Sequence, residues 1–127
     1  MKRITTKFGL LALIIVFAGF LKSCKNDDPS VIKIFVRSAS NELVEGAKVI
    51  IVGDVNSNPP TLEYVDTVVT NNSGFAYFNV QPHFDEGDKD YTVGYFDVIV
   101  KFQTKTAFGT VRSRVHTTAV ETVYLPN

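Results

Sequence analysis

Two hydrophobic patterns divide this chain. From Phe8 to Leu21 every residue is apolar and uncharged, whereas from Val31 onward apolar residues alternate with polar ones between clusters of Gly, Pro, Asn and Asp. Alternation with period two puts successive side chains on opposite faces of a strand, and no window after Val31 keeps a helical period. Ile32, Ile34 and Val36 alternate with Lys33, Phe35 and Arg37, and Ala47, Val49 and Ile51 repeat the pattern. Tyr64 to Thr70 makes a third strand, after an Asn56–Pro60 loop whose two prolines lack ladder donors. Asn71-Asn72-Ser73-Gly74 predicts a hairpin, because Asn and Gly accept positive φ, and Ala76, Phe78 and Val80 follow it.

The second half reads less evenly. Gln81 to Asp90 breaks the alternation, and a long strand runs from about Tyr91 to Gln103. Within it Phe96, Val98, Val100 and Phe102 fall out of phase with Tyr91 and Val93, which predicts a bulge or bend at Gly94. Thr104-Lys105-Thr106 is the expected turn into Ala107 to Val115, and Val120 to Leu125 closes the domain. Seven short strands over residues 31–127 predict an all-β fold, a seven-stranded sandwich of immunoglobulin-like or prealbumin-like dimensions. The chain contains no Trp and a single Cys, so an antibody-type Cys-Trp-Cys core is excluded.

The N-terminal run is an export signal by its order. Lys2, Arg3 and Lys7 precede it, and Lys22 ends it short of the roughly 20 apolar residues a spanning helix needs. Leu21-Lys22-Ser23-Cys24 then resembles the lipobox of bacterial lipoproteins, with Lys22 departing from the small or aliphatic residue usual there. The resemblance implies removal of residues 1–23 and acylation of Cys24, followed by a lipidated tether over 24–30. Each buried methylene contributes about 0.8 kcal/mol, so two or more acyl chains hold a protein durably to a membrane. Lys25-Asn26-Asp27-Asp28 is similar to the surface-export signal of lipoproteins in the Bacteroidota, which implies an outer-membrane protein displayed outward.

Processing changes the charge. Loss of Lys2, Arg3, Lys7 and Lys22 takes the 13 basic residues to 9 against 13 acidic ones, a net charge near −4. A mildly acidic domain has no electrostatic footprint for nucleic acid. With Cys24 acylated, no thiol remains for a disulfide, zinc site or nucleophile.

Val44-Glu45-Gly46-Ala47-Lys48-Val49, followed by Thr70-Asn71-Asn72-Ser73-Gly74-Phe75-Ala76-Tyr77-Phe78, resembles the carboxypeptidase regulatory-like and transthyretin-like sandwich domains. The resemblance covers most of 31–127. It implies an accessory module whose shared residues are structural, with Gly46 admitting the chain to the second strand and Gly74 setting the turn.

Candidate chemistry is sparse. His83 and His116 accompany no nucleophile motif, and both are expected at the surface. Asp85, Asp88 and Asp90 gather hard oxygen ligands of the kind Ca²⁺ takes, but in no EF-hand order and with Lys89 among them, so a solvated acidic loop is the simpler expectation. Arg112, Arg114 and His116 share one strand side, which Lys101 joins if it lies across the hairpin; this stripe is a candidate contact for an anionic sugar or an acidic partner. Phe35, Phe75, Tyr77 and Tyr95 are expected to face outward, where aromatic rings fill protein interfaces or stack on sugars. The expectation is therefore a non-enzymatic, cofactor-free module that binds an envelope protein, with glycan binding as the alternative.

Overall fold

The computed structural model describes residues 26–127. The expected signal peptide and Cys24 lie outside the described residues. Seven strands form, in order β1 (Val31–Arg37), β2 (Lys48–Gly53), β3 (Val65–Val69), β4 (Phe75–Asn79), β5 (Val93–Phe102), β6 (Lys105–Arg114) and β7 (Thr118–Tyr124), with one helical turn, α1 (Gln81–Asp85), between β4 and β5. They make two sheets, one of three strands ordered β4-β1-β7 and one of four ordered β3-β2-β5-β6. The fold is an all-β sandwich of seven strands.

Alternation decides what each strand buries. Ile32, Ile34 and Val36 of β1, Val49 and Ile51 of β2, Ala76 and Phe78 of β4, and Phe96, Val98 and Val100 of β5 all turn inward and are buried. Burial of such a side chain contributes about 1.5–3 kcal/mol, which is why these strands hold one register each. β1 pairs antiparallel with β4 and parallel with β7, joining the start of the domain to its end.

The Asn71–Gly74 segment turns as expected but does not close a hairpin. β3 pairs with β2 in one sheet and β4 with β1 in the other, so the turn carries the chain between sheets. Asn71 Oδ1 accepts from the N–H groups of Ser73 (2.9 Å) and Phe75 (3.2 Å), and the Gly74 N–H bonds to the Asn71 carbonyl at 2.9 Å. Before it, buried Thr70 clasps the β1–β2 loop, donating its hydroxyl to the Val44 carbonyl (2.8 Å) and accepting from the Ala47 N–H (2.9 Å).

Three further expectations are corrected. β5 pairs with β6 without interruption from Val93 to Phe102, so Gly94 marks no bulge. A Cβ at Gly94 would stand 2.8 Å from the Phe96 ring, and the glycine instead makes room for that buried ring. The β5–β6 turn falls at Gln103-Thr104, one residue before the expected position, with Gln103 at φ 55° and Phe102 opposite Lys105. Residues 81–85 are helical, opening on Pro82 in the first turn and burying His83 and Phe84. One turn is too short to print a helical period on the sequence.

Gly46 and Gly74 both sit at positive φ, 82° and 77°. A Cβ on Gly46 meets nothing within 4 Å, whereas one on Gly74 would lie 2.9 Å from Leu43 Cβ. Gly46→Ala is therefore expected to lose about 1–2 kcal/mol from backbone strain alone, and Gly74→Ala distinctly more. Denaturant midpoints check this; equal losses at the two positions would contradict it.

Candidate interaction surfaces

The outer face of the three-stranded sheet collects most of the expected aromatics. Phe35 of β1 lies opposite Phe75 of β4, and Lys33 lies opposite Tyr77. The two Phe rings pack at 5.2 Å between centroids, tilted by 49°, and the Lys33 ammonium stands 5.2 Å over the Phe75 ring. Both contacts suit the ring quadrupole, whose negative face attracts a cation and whose edge favours tilted packing. On the far side of β1, Arg37 lies opposite Tyr124. Tyr77 is 46% exposed and Tyr124 57%. Tyr124 was missed in the sequence, although the outward series Val120, Thr122, Tyr124 in the last strand carries it by period two.

Tyr95 is not part of this face. It turns outward on the four-stranded sheet, opposite Arg112, while Arg114 lies opposite Val93. Tyr95 and Arg112 line a depression of about 400 Å³ together with Asp54, Asp97 and Glu121. Lys101 does not join the arginines as expected. It pairs with Thr106 near the β5–β6 turn, six residues along β6 from Arg112, and instead lies opposite Lys48 of β2. His116 also leaves the stripe, because β6 ends at Arg114 and His116 occupies the following turn at φ 61°.

His116 ties down the chain preceding β1. Its Nδ1–H donates to the Asp28 carbonyl (2.7 Å), its backbone N–H donates to Ser30 Oγ (2.7 Å), and its carbonyl accepts from Asn26 Nδ2 (3.2 Å). Buried Ser30 in turn donates through its backbone N–H (3.0 Å) and hydroxyl (2.7 Å) to Gln81 Oε1. The expected tether is thus docked over residues 26–30 against α1 and the β6–β7 turn.

His83 is a core residue rather than the surface histidine expected. It is 2% exposed and lies among the rings of Tyr64, Phe84, Tyr91 and Phe96, the nearest centroid being that of Tyr64 at 4.7 Å. The Leu62 N–H donates to Tyr91 Oη (3.2 Å), and Tyr91 Oη and His83 Nε2 share a hydrogen bond of 2.7 Å whose direction depends on the imidazole tautomer. Nδ1 is buried without a partner. Burial lowers the His83 pKa, with the nearby Glu86 charge opposing it. Burial also raises Tyr91, against the Leu62 N–H, and pushes Tyr64 up to about 12 together with the Asp66 carboxylate, which accepts the Tyr64 hydroxyl at 3.2 Å.

The acidic segment makes local bonds. Asp85 Oδ1 accepts from Gln81 Nε2 (3.0 Å) and Asp88 Oδ1 accepts from the Asp90 N–H (3.0 Å). Among the described residues no three His, Cys, Asp or Glu side chains come together to hold a metal ion. No helix among them is long and apolar enough to cross a membrane.

The site is thus a pair of solvent-facing sheet surfaces on a small sandwich, one aromatic and cationic, the other mixed apolar and charged. In comparisons with known proteins, no family model matches the chain, and no curated protein matches it either.

The His83 environment predicts a pH dependence. An unfolded imidazole takes up a proton as the pH falls through about 6.5, while the buried one stays neutral to a lower pH. Stability from neutral His83 is therefore fully present above that range and is lost progressively below it. Urea midpoints between about pH 7.5 and 5.5 should fall more steeply for the wild type than for His83→Gln; parallel slopes would contradict this assignment.

Proposed function

We propose that this chain is a non-enzymatic, lipid-anchored module of the cell envelope that binds another envelope protein. In this reading Cys24 carries the lipid, and the domain stands on the outer membrane, facing outward. It is of the immunoglobulin-like or prealbumin-like kind that the resemblance to carboxypeptidase regulatory-like domains implies. The observation that carries the reading is the outer face of the three-stranded sheet, where Phe35, Phe75, Tyr77 and Tyr124 gather around Lys33 and Arg37. Aromatic and arginine side chains supply most of the energy at protein interfaces, because they bury large areas with few rotamers to freeze. The docked segment 26–30 supports the same reading. It fixes the start of the described chain, Asn26, to one end of the sandwich, while the last strand ends beside Arg37 at the opposite end, the Leu125 N–H bonding to the Arg37 carbonyl at 2.8 Å.

A second reading is a surface glycan-binding protein, favoured by exposed Tyr77 and Tyr124, since a flat ring stacks on a sugar ring as it does on a protein surface.

Two measurements test the proposal. Cys24→Ser should move the protein from the detergent phase to the aqueous phase; unchanged partitioning would count against the anchor. Tyr77→Ala should weaken capture of a stoichiometric envelope partner by about tenfold, the loss of a central aromatic anchor, with the fold intact. Loss of glycan-array binding in that variant, with partner capture unchanged, would support the second reading instead.

A further inference from the structure

The opposite sheet carries its own recognition pattern. On the outer face of the four-stranded sheet, Ile50 lies opposite Ile99, and Ile99 opposite Phe108, so that three apolar side chains form one row across β2, β5 and β6. Phe108 is 75% exposed, the greatest exposure of any large apolar side chain among the described residues. In the adjoining row Lys48 lies directly opposite Lys101, and the outer strands supply only Val69 and Thr106 beside them. Like charges directly opposite on neighbouring strands destabilise a sheet. The carboxylate of this face on β5, Asp97, lies four residues from Lys101, about 13 Å along the strand at roughly 3.3 Å per residue.

A repelling lysine pair beside an exposed apolar row is unfavourable for the isolated domain. It becomes favourable when carboxylates lie over the lysines and apolar side chains cover Phe108 and Ile99, because charge-assisted contacts next to a desolvated core are the stronger ones. We infer that this face docks a second envelope protein through a segment presenting carboxylates beside apolar residues. A second copy of this chain fits poorly. Two copies facing each other with strands parallel set lysines on lysines. With strands antiparallel, a single Asp97 meets two lysines, and the docked 26–30 segments point in opposite directions, away from a common membrane. That last point rests on the lipid anchoring proposed above.

The test places a benzoylphenylalanine photocrosslinker at position 108 of the full lipidated chain in its own cells. An adduct should form with a different protein, the attached peptide carrying Asp or Glu within a few residues of the crosslink. Its yield should fall about tenfold in the Lys48→Glu/Lys101→Glu background, whose exposed positions leave the fold intact. An adduct between two copies, an adduct with lipid, no adduct, or a yield indifferent to the lysines would each overturn the inference. The same crosslinker at position 77 reads the three-stranded face, so failure there and failure at 108 are told apart.

Discussion

β1 is the strand on which the rest of the structure depends. It alone connects β4 to β7, pairing antiparallel with the one and parallel with the other, and its inward Ile32, Ile34 and Val36 are fully buried between the sheets. The parallel ladder runs from Val31 opposite Thr118 to Arg37 opposite Tyr124, so the three-stranded sheet is incomplete until the last strand has docked. Closing so long a loop costs entropy that the intervening strands repay only once the core is packed. Thr70 and Ser30 fix the two ends of this arrangement, the first by clasping the β1–β2 loop and the second by bonding to both Gln81 and His116.

The two sheets then present different chemistry to solvent for a simple reason. Inward positions are claimed by aliphatic and Phe side chains, which leaves the outward positions free to vary. On the three-stranded sheet these are Phe35, Phe75, Tyr77 and Tyr124 with two cations; on the four-stranded sheet they are Ile50, Ile99 and Phe108 beside Lys48 and Lys101. The Phe35–Phe75 pair and the Lys33 ammonium over Phe75 favour the isolated fold, whereas exposed Tyr77, Tyr124 and Phe108 gain nothing from water and the paired lysines repel.

Much of the fold was legible because inward aliphatics in β1, β2, β4 and β5 alternate with polar or aromatic residues, and a period of two admits one reading. The positive φ at Gly74 was legible as well, since the Asn-Asn-Ser-Gly turn demands it, whereas that at Gly46 was not. The separation of β3 and β4 into different sheets was not, because Asn-Asn-Ser-Gly makes the same tight turn whether or not the flanking strands pair with each other. The burial of His83 depends on the rings of Tyr64 and Phe96 as well as Phe84 and Tyr91, and the first two lie too far along the chain for a local window to contain them. Lys101 stands two residues before the β5–β6 turn, so a tight hairpin sets it against Thr106, far from Arg112, and its pairing with Lys48 belongs to a different ladder that the local sequence does not show. Tyr124 escaped notice because its strand is mostly exposed and gives a weak alternation.

The most direct measurement of this account is native-state hydrogen exchange along β1 and β7. If the parallel β1–β7 ladder closes the sandwich, the amides of both strands should exchange only through global unfolding and share one opening free energy. Release of β7 at a distinctly lower free energy, with β1 and the four-stranded sheet still protected, would contradict it.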